Sequence, residues 1–513
     1  MLQTFLRTLP VAARAQIKAT GAPGLRAINI RTLYTGSPNH RAQTIDGPAP
    51  GIPVEWTNVD PYSAFQVNGH RGFLPSEDPL VRLPPRFAVL EDLLVRMPLR
   101  QDDGAPGLLA HGELGPAVHR ELPNYDVTNE EDPHVLMALF RDYTFLASAY
   151  LLEPCHHQFV RTGDYGLGRT LLPRVIAQPL ETVAAKIGAK PFMEYAQSYA
   201  LYNYRLKDPD AGITYPNLAL VRKFSGCPAE HGFILVHVAI VSHSARLVEQ
   251  ALAALRAVGQ RDRTAFNRAL TIYRDTLGAI NEVMSSMWTR SKSEDYVSFR
   301  TFIMGTKNQP MFPDGIHFEG APAETNPRRY RGESGANDSI IPTSDNLFQL
   351  TARMPENPLT QTLRDFRSYR PRNHHAFVSH VEQEATRAQV REFAMQDPVS
   401  TALYVENVDW IRAFRHQHWQ MTKEYIIRHT THPVATGGSP IVTWLPNQLE
   451  AVLNVINETT AKLRVADLPV DHRQRIEDIM ARADTQYRVL GREVKELQLR
   501  FPNVEAARPQ PTA

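Results

Sequence analysis

His418 belongs to a run whose members recur at helical spacing: Leu403, Asn407, Ile411, Phe414, His418, Met421 and Tyr425. That spacing puts them on one face of a helix and turns the His418 ring into the core. A neutral imidazole kept from water is a ligand for haem iron. Arg415, one turn earlier, could grip a haem carboxylate in a fork. Spacing alone favours a plainer reading, a hydrogen-bonded core histidine beside a surface arginine. His416 points elsewhere on the helix and reads as a surface residue. His237 is the second candidate, set among Phe233, Val236, Val238, Ile240 and Val241 in the most apolar stretch of the chain. A polar ring there needs a partner from the protein or from a ligand. His231, His237 and His243 recur every six residues and do not share a helical face, so a metal held among them is not expected. The adjacent Cys155-His156-His157 and His374-His375 diverge by about 100° per residue on a helix and read as structural or surface groups. Glu319, Glu333, Asp338 and Asp345 fall in a stretch without periodicity, where carboxylates do acid–base chemistry or cap helices and fix turns.

These side chains need helices to hold them, and the pattern supplies them. Residues 46–125 are rich in proline and read as an extended lead-in with a short helix at Phe87–Arg96. Helices are expected at Pro133–Leu151, Pro179–Ile187, Gly232–Val258, Arg263–Thr289, Asp345–Arg353, Thr360–Arg367, Ser400–His429 and Asn447–Val465. The aromatic segment Pro191–Leu206 reads as a further helix. Residues 305–345 read as one long loop, a length usually kept for function, and Val434–Pro440 as a glycine-containing break. The charged helix Val470–Leu499 carries a thin apolar stripe and reads as a solvated helix docked on the body, with a self-association seam as the alternative. Strand patterns are few, so the class is mainly α. The organisation expected is a basic presequence or disordered tail at 1–45, a Pro-rich lead-in and small helical domain at 46–225, a large helical domain at 226–466, and a charged helix and tail at 467–513.

Composition narrows the partners. A formal net charge of +2 gives no global field for nucleic acid or an anionic membrane. No run of about 18 apolar residues appears, so no membrane span is expected. Two cysteines exclude a disulfide framework and a four-cysteine metal site, and suit a reducing compartment. From Met1 to Ile45 there is no acidic residue, while Arg7, Arg14, Lys18, Arg26, Arg31 and Arg41 are spread among Leu, Ala and Thr. That composition suggests a mitochondrial presequence, with a cytoplasmic location as the alternative.

Five ordered motifs go further. Ser298–Lys307 (SFRTFIMGTK), Met311–Gly320 (MFPDGIHFEG), Arg331–Pro342 (RGESGANDSIIP), Arg415–Ile427 (RHQHWQMTKEYII) and Ala435–Ser439 (ATGGS) resemble, in order, segments of the indoleamine 2,3-dioxygenases, in their fungal and bacterial form. The resemblance covers most of residues 60–460. It implies a two-domain, all-α enzyme with one haem b per chain that opens the indole ring of L-tryptophan between C2 and C3, inserting both atoms of O2 to give N-formylkynurenine. By position, it implies that His418 is the iron ligand, that Arg415 meets a haem propionate and that Arg300 pairs with the substrate carboxylate. Phe233 and His237 fall at distal-pocket positions, and Tyr195, Ser198 and Tyr199 at the wall above the haem. Ser334 and Gly335 match the loop at the haem edge, and Thr436 the glycine loop near the substrate ammonium. Vertebrate members carry serine at the His237 position, so orientation rather than obligate proton abstraction is expected there. Asp295 and Tyr296 stand at positions usually aromatic, and an acid near Arg300 would compete for it. Two further readings therefore stay open: a related haem enzyme for another indole or amine, and a non-catalytic haem or gas carrier. O2, an indole and an unidentified reductant are the partners implied; a monomer is favoured.

Overall fold

The computed structural model describes residues 55–354, 364–429, 434–438 and 441–500. The acid-free segment 1–45, with the mitochondrial destination it suggests, lies outside them, as do residues 360–363 of one expected helix and Ser439 of the glycine break. The described chain is mainly helical. The helices that bear on the site are α1 (Pro133–Thr162), α2 (Arg174–Ile187), α3 (Pro228–Val241), α4 (Ser244–Gly259), α5 (Arg263–Ser285), α6 (Ser293–Arg300), α7 (Ile340–Leu347), α8 (Arg372–Ala388), α9 (Pro398–Thr422), α10 (Ile441–Thr460) and α11 (Val470–Arg500). Two small sheets accompany them: β1 (Leu171–Leu172) runs parallel to β4 (His317–Phe318), and β2 (Tyr204–Leu206) antiparallel to β3 (Leu218–Leu220).

Local chemistry sets the helix starts. Asp132, Asp262 and Asp397 each accept backbone N–H groups at the first turns of α1, α5 and α9, and Pro133 and Pro398 occupy positions where a missing N–H costs nothing. Several boundaries differ from the sequence expectation. α1 runs through Pro154 to Thr162, because Leu151, Leu152, Cys155 and His156 on that last stretch are all buried. The apolar run Gly232–Val258 is two helices, broken at Ser242 and His243; the break lets the buried Ser244 hydroxyl accept the Phe73 amide hydrogen at 2.9 Å. Pro191–Leu206 is not an α-helix. It is a π-helical turn, Tyr195–Tyr199, followed by β2. Glu194 caps that turn, and the Asn203 amide donates to the carbonyls of Tyr199 and Arg222 at 3.0 and 2.9 Å, satisfying backbone groups a helix would have paired internally. α7 begins five residues before the expected Asp345, and α8 was not anticipated.

α9 packs on α5, α10 and α11. α11 lies along it: Ile476, Ile479, Ala483 and Leu490 are buried, His472 meets Glu406 at 2.6 Å and Arg482 meets Asp409 at 2.9 Å. Farther along, Glu493 accepts the Trp419 indole N–H at 2.8 Å and the Lys423 ammonium at 2.6 Å. The expected docking is therefore observed, and it covers His416, which is half-buried rather than on the surface. By length and composition two stretches could cross a membrane, α1 and the span of α3 with α4; the apolar window of α1 is 100% buried inside the protein and that of the second 61%.

Candidate functional site

Between α3, α6 and α9 the packing leaves a cleft of about 940 Å³ of atom-free space, part of it open to solvent. The stripe of α9 divides its labour here. Leu403, Asn407 and Ile411 are buried in the core, while Phe414, His418 and Met421 continue the same face into the cleft. At Lys423–Ile427 the helix widens into a π-helical turn, and both Tyr425 and Ile426 reach the cleft. π-turns of this kind recur at functional sites.

His418 stands in this surface with its neighbours Trp419 and Met421 buried, and among the described residues nothing hydrogen-bonds its ring. Burial, with the His237 and Arg415 charges adding to it, holds its pKa down at about 4. The ring is neutral at pH 7 and its nitrogen lone pair is available. One turn back, Arg415 donates from Nη2 to Asp345 at 2.6 Å, while its Nη1 is buried without a partner. Such an orphaned donor asks for an acceptor. An unpaired neutral imidazole in a mostly apolar cleft and, one turn back and behind its surface, an arginine with a spare N–H are the donor set a haem needs, with His418 for iron and Arg415 for a propionate.

Across the cleft, α3 contributes Phe233 and His237. His237 Nδ1 lies 2.8 Å from the Phe233 carbonyl, which can only accept, so Nδ1 donates and Nε2 is left as an acceptor. Burial lowers the pKa of this ring too. A Cβ on Gly335 would come within 3.6 Å of Nε2, so the Ser334–Gly335 segment runs beside it. Phe233, Tyr296 and Tyr425 form a chain of aromatic contacts at 5.3 and 5.6 Å between centroids.

Other candidates from the sequence stand farther back. Tyr195 meets the His237 ring edge-on at 5.7 Å. Ser198 donates to the Glu194 carbonyl at 2.7 Å, and Tyr199 stacks on Phe145 at 6.0 Å; neither reaches the cleft surface. Arg300 is fully buried behind that surface, donating to the Tyr165 hydroxyl at 3.1 Å and the Val434 carbonyl at 2.7 Å, with Nε unpartnered. It braces the segment that carries Ala435 and Thr436 into the cleft. The competition expected from Asp295 is absent: that side chain is exposed and makes no ion pair with Arg300, and Tyr296 supplies the aromatic wall.

The loop of residues 305–335 is positioned by close backbone crossings. A Cβ on Gly305 would sit 2.2 Å from the Gly332 nitrogen, and one on Gly332 would sit 2.6 Å from the Thr436 carbonyl oxygen, so only glycine fits at either point. The Gly305 amide donates to Thr436 at 3.0 Å, Gln309 donates to the Ala435 and Thr436 carbonyls at 2.9 and 3.2 Å, and Thr436 donates its hydroxyl to the Glu333 carbonyl at 2.6 Å. Gln309 has no spacing signal in the sequence. Glu333, one of the four loop carboxylates read from the sequence as acid–base or capping groups, reaches the cleft.

The family model described as indoleamine 2,3-dioxygenase matches residues 61–460. The chain is 26% identical over 263 residues to indoleamine 2,3-dioxygenase 1 of Rattus norvegicus, covering 51% of this chain and 63% of the relative. It is 25% identical over 384 residues to the indoleamine 2,3-dioxygenase of Saccharomyces cerevisiae, covering 71% and 79%. Against indoleamine 2,3-dioxygenase nanC of Aspergillus nanangensis it is 25% identical over 425 residues, covering 77% and 97%. Less than two thirds of the rat relative's length is thus spanned.

Proposed function

This chain belongs to the indoleamine 2,3-dioxygenase family, and on that premise we propose that it is a haem-dependent oxidoreductase that opens the C2–C3 bond of L-tryptophan with O2 to give N-formylkynurenine, feeding tryptophan breakdown through kynurenine. The observation that carries the reading is His418: neutral, without a hydrogen bond, and turned to the cleft. Haem bound there supplies the oxygen activation that no side chain can. His418 holds its iron, and Arg415 takes a propionate on its spare Nη1. Phe233 and Tyr296 flank a planar ring, and His237 Nε2 accepts the indole N–H and so orients the substrate. Arg300 receives a carboxylate in a fork once it leaves the Val434 carbonyl, with Ser334 and Thr436 closing the same end. The apolar surface excludes water from the reacting atoms. Both oxygen atoms end in the product, so a reductant of unidentified class is needed only to keep the iron ferrous.

The engagement of Arg300 with Tyr165 and Val434 favours one second reading, an indole without a carboxylate. The test mixes ferrous holoprotein with L-tryptophan anaerobically, admits O2 and identifies the product by mass. N-formylkynurenine is expected from the wild type, and His418→Ala should lose its haem on desalting. No product from saturating L-tryptophan would sink the primary reading. A product only from a carboxylate-free indole, unaffected by Arg300→Ala, would establish the second. Haem binding with no turnover of any indole would leave a carrier.

A further inference from the structure

Of the four candidate carboxylates that the sequence singles out in the long central segment, three are engaged. Glu319 accepts the Arg174 amide hydrogen at 2.7 Å, Asp338 that of Ile340 at 2.8 Å, and Asp345 pairs with Arg415 at 2.6 Å. Glu333 is different. It is 3% exposed, it lines the cleft, and among the described residues its carboxyl has no hydrogen bond and no ion pair. Its backbone is fixed beside the cleft: Gly332 before it is packed against Gly305, and its own carbonyl accepts from Thr436. Glu194, Tyr195, Tyr199 and Tyr296 are its electrostatic neighbours, and no cation is among them. A buried carboxyl left without a donor is costly, and a ligand that brings one recovers that cost.

We infer that Glu333 receives the protonated side-chain amine of the substrate and thereby selects indoles that carry one. The inference rests on the indole reading above and adds its specificity residue. The cleft already offers the indole N–H an acceptor in His237 Nε2, so the donor missing at Glu333 is a different one. An ammonium brings both the hydrogens and a positive charge to a carboxyl on which no cation acts directly. Burial, reinforced by Glu194, pushes the Glu333 carboxyl up to about 8. The empty cleft therefore holds it neutral at pH 7, and an arriving cation draws it to the anion.

The experiment is calorimetric titration of the holoprotein with L-tryptophan, with tryptamine (amine, no carboxylate) and with 3-indolepropionate (carboxylate, no amine). Wild type should bind tryptamine more tightly than 3-indolepropionate, and the reverse order overturns the assignment whatever the variants do. Glu333→Gln should weaken L-tryptophan and tryptamine on the order of 10- to 100-fold, the range of a buried charge-assisted hydrogen bond, and leave 3-indolepropionate within about twofold. Glu333→Asp, which keeps the charge, should retain the preference for the amine. Equal losses for all three probes, or no loss, would overturn the role of Glu333 alone. A wild type that binds none of them would overturn the indole reading and this inference together.

Discussion

Replacing His418 by leucine should flatten the acid side of the stability curve of the haem-free protein. The folded ring has a pKa of about 4 against the ordinary 6.5. Between those values the unfolded chain binds a proton that the folded chain refuses. The stability allowed by the neutral ring is complete above pH 6.5 and is lost as pH falls toward 4. Single-site linkage with these two values gives a loss of about 2 kcal/mol between pH 7 and pH 5. Leucine has no proton to take up, so the variant should lose about that much less over the interval. At a urea slope of a few kcal/mol per molar, the wild-type midpoint should fall further than the variant's by on the order of 0.5 M. Urea melts of both proteins at pH 7, 6 and 5, followed by far-ultraviolet circular dichroism, measure this. His156 and His374, also held neutral by burial, titrate in both proteins and cancel in the comparison. Midpoints that move in parallel would show that the ring is not held dry, and the argument for His418 as an iron ligand would lose its physical basis.

Two further outcomes are expected. Glu493→Ala removes the acceptor of both the Trp419 indole N–H and the Lys423 ammonium; it should cost roughly 1.5–3 kcal/mol and hasten haem transfer to an apoglobin scavenger, and an unchanged melt with unchanged transfer would show that α11 does not brace α9. Asp295→Asn should alter stability by no more than about 0.5 kcal/mol and leave the affinity for L-tryptophan unaltered, because the side chain is exposed; a clear change in affinity would mean that its charge reaches Arg300.

The sequence disclosed what periodicity can disclose. Seven positions at helical spacing around His418 marked one face of α9, and that face is buried at one end and lines the cleft at the other. Periodicity also misled. Phe192, Tyr195, Tyr199 and Tyr202 recur at threes and fours, yet the Glu194 cap and the Asn203 side chain turn the segment into a π-turn and a strand. α8 escaped notice because histidines and charges interrupt its apolar positions Phe377, Val378 and Val381. Arg300 was legible as a motif residue but not its orientation, which depends on two partners more than 130 positions away in the chain. Glu333 was the hardest case. Burial in a loop has no period, and what makes the residue unusual is the lack of a partner, which only three dimensions reveal.

The brace that α11 lays along α9 also bears on biosynthesis. A nascent chain whose last emerged residue precedes Val470 already carries His418, but Glu406 and Asp409 lack the His472 and Arg482 partners that will cover them. Translation therefore delivers the helix that carries His418 before the segment that steadies it.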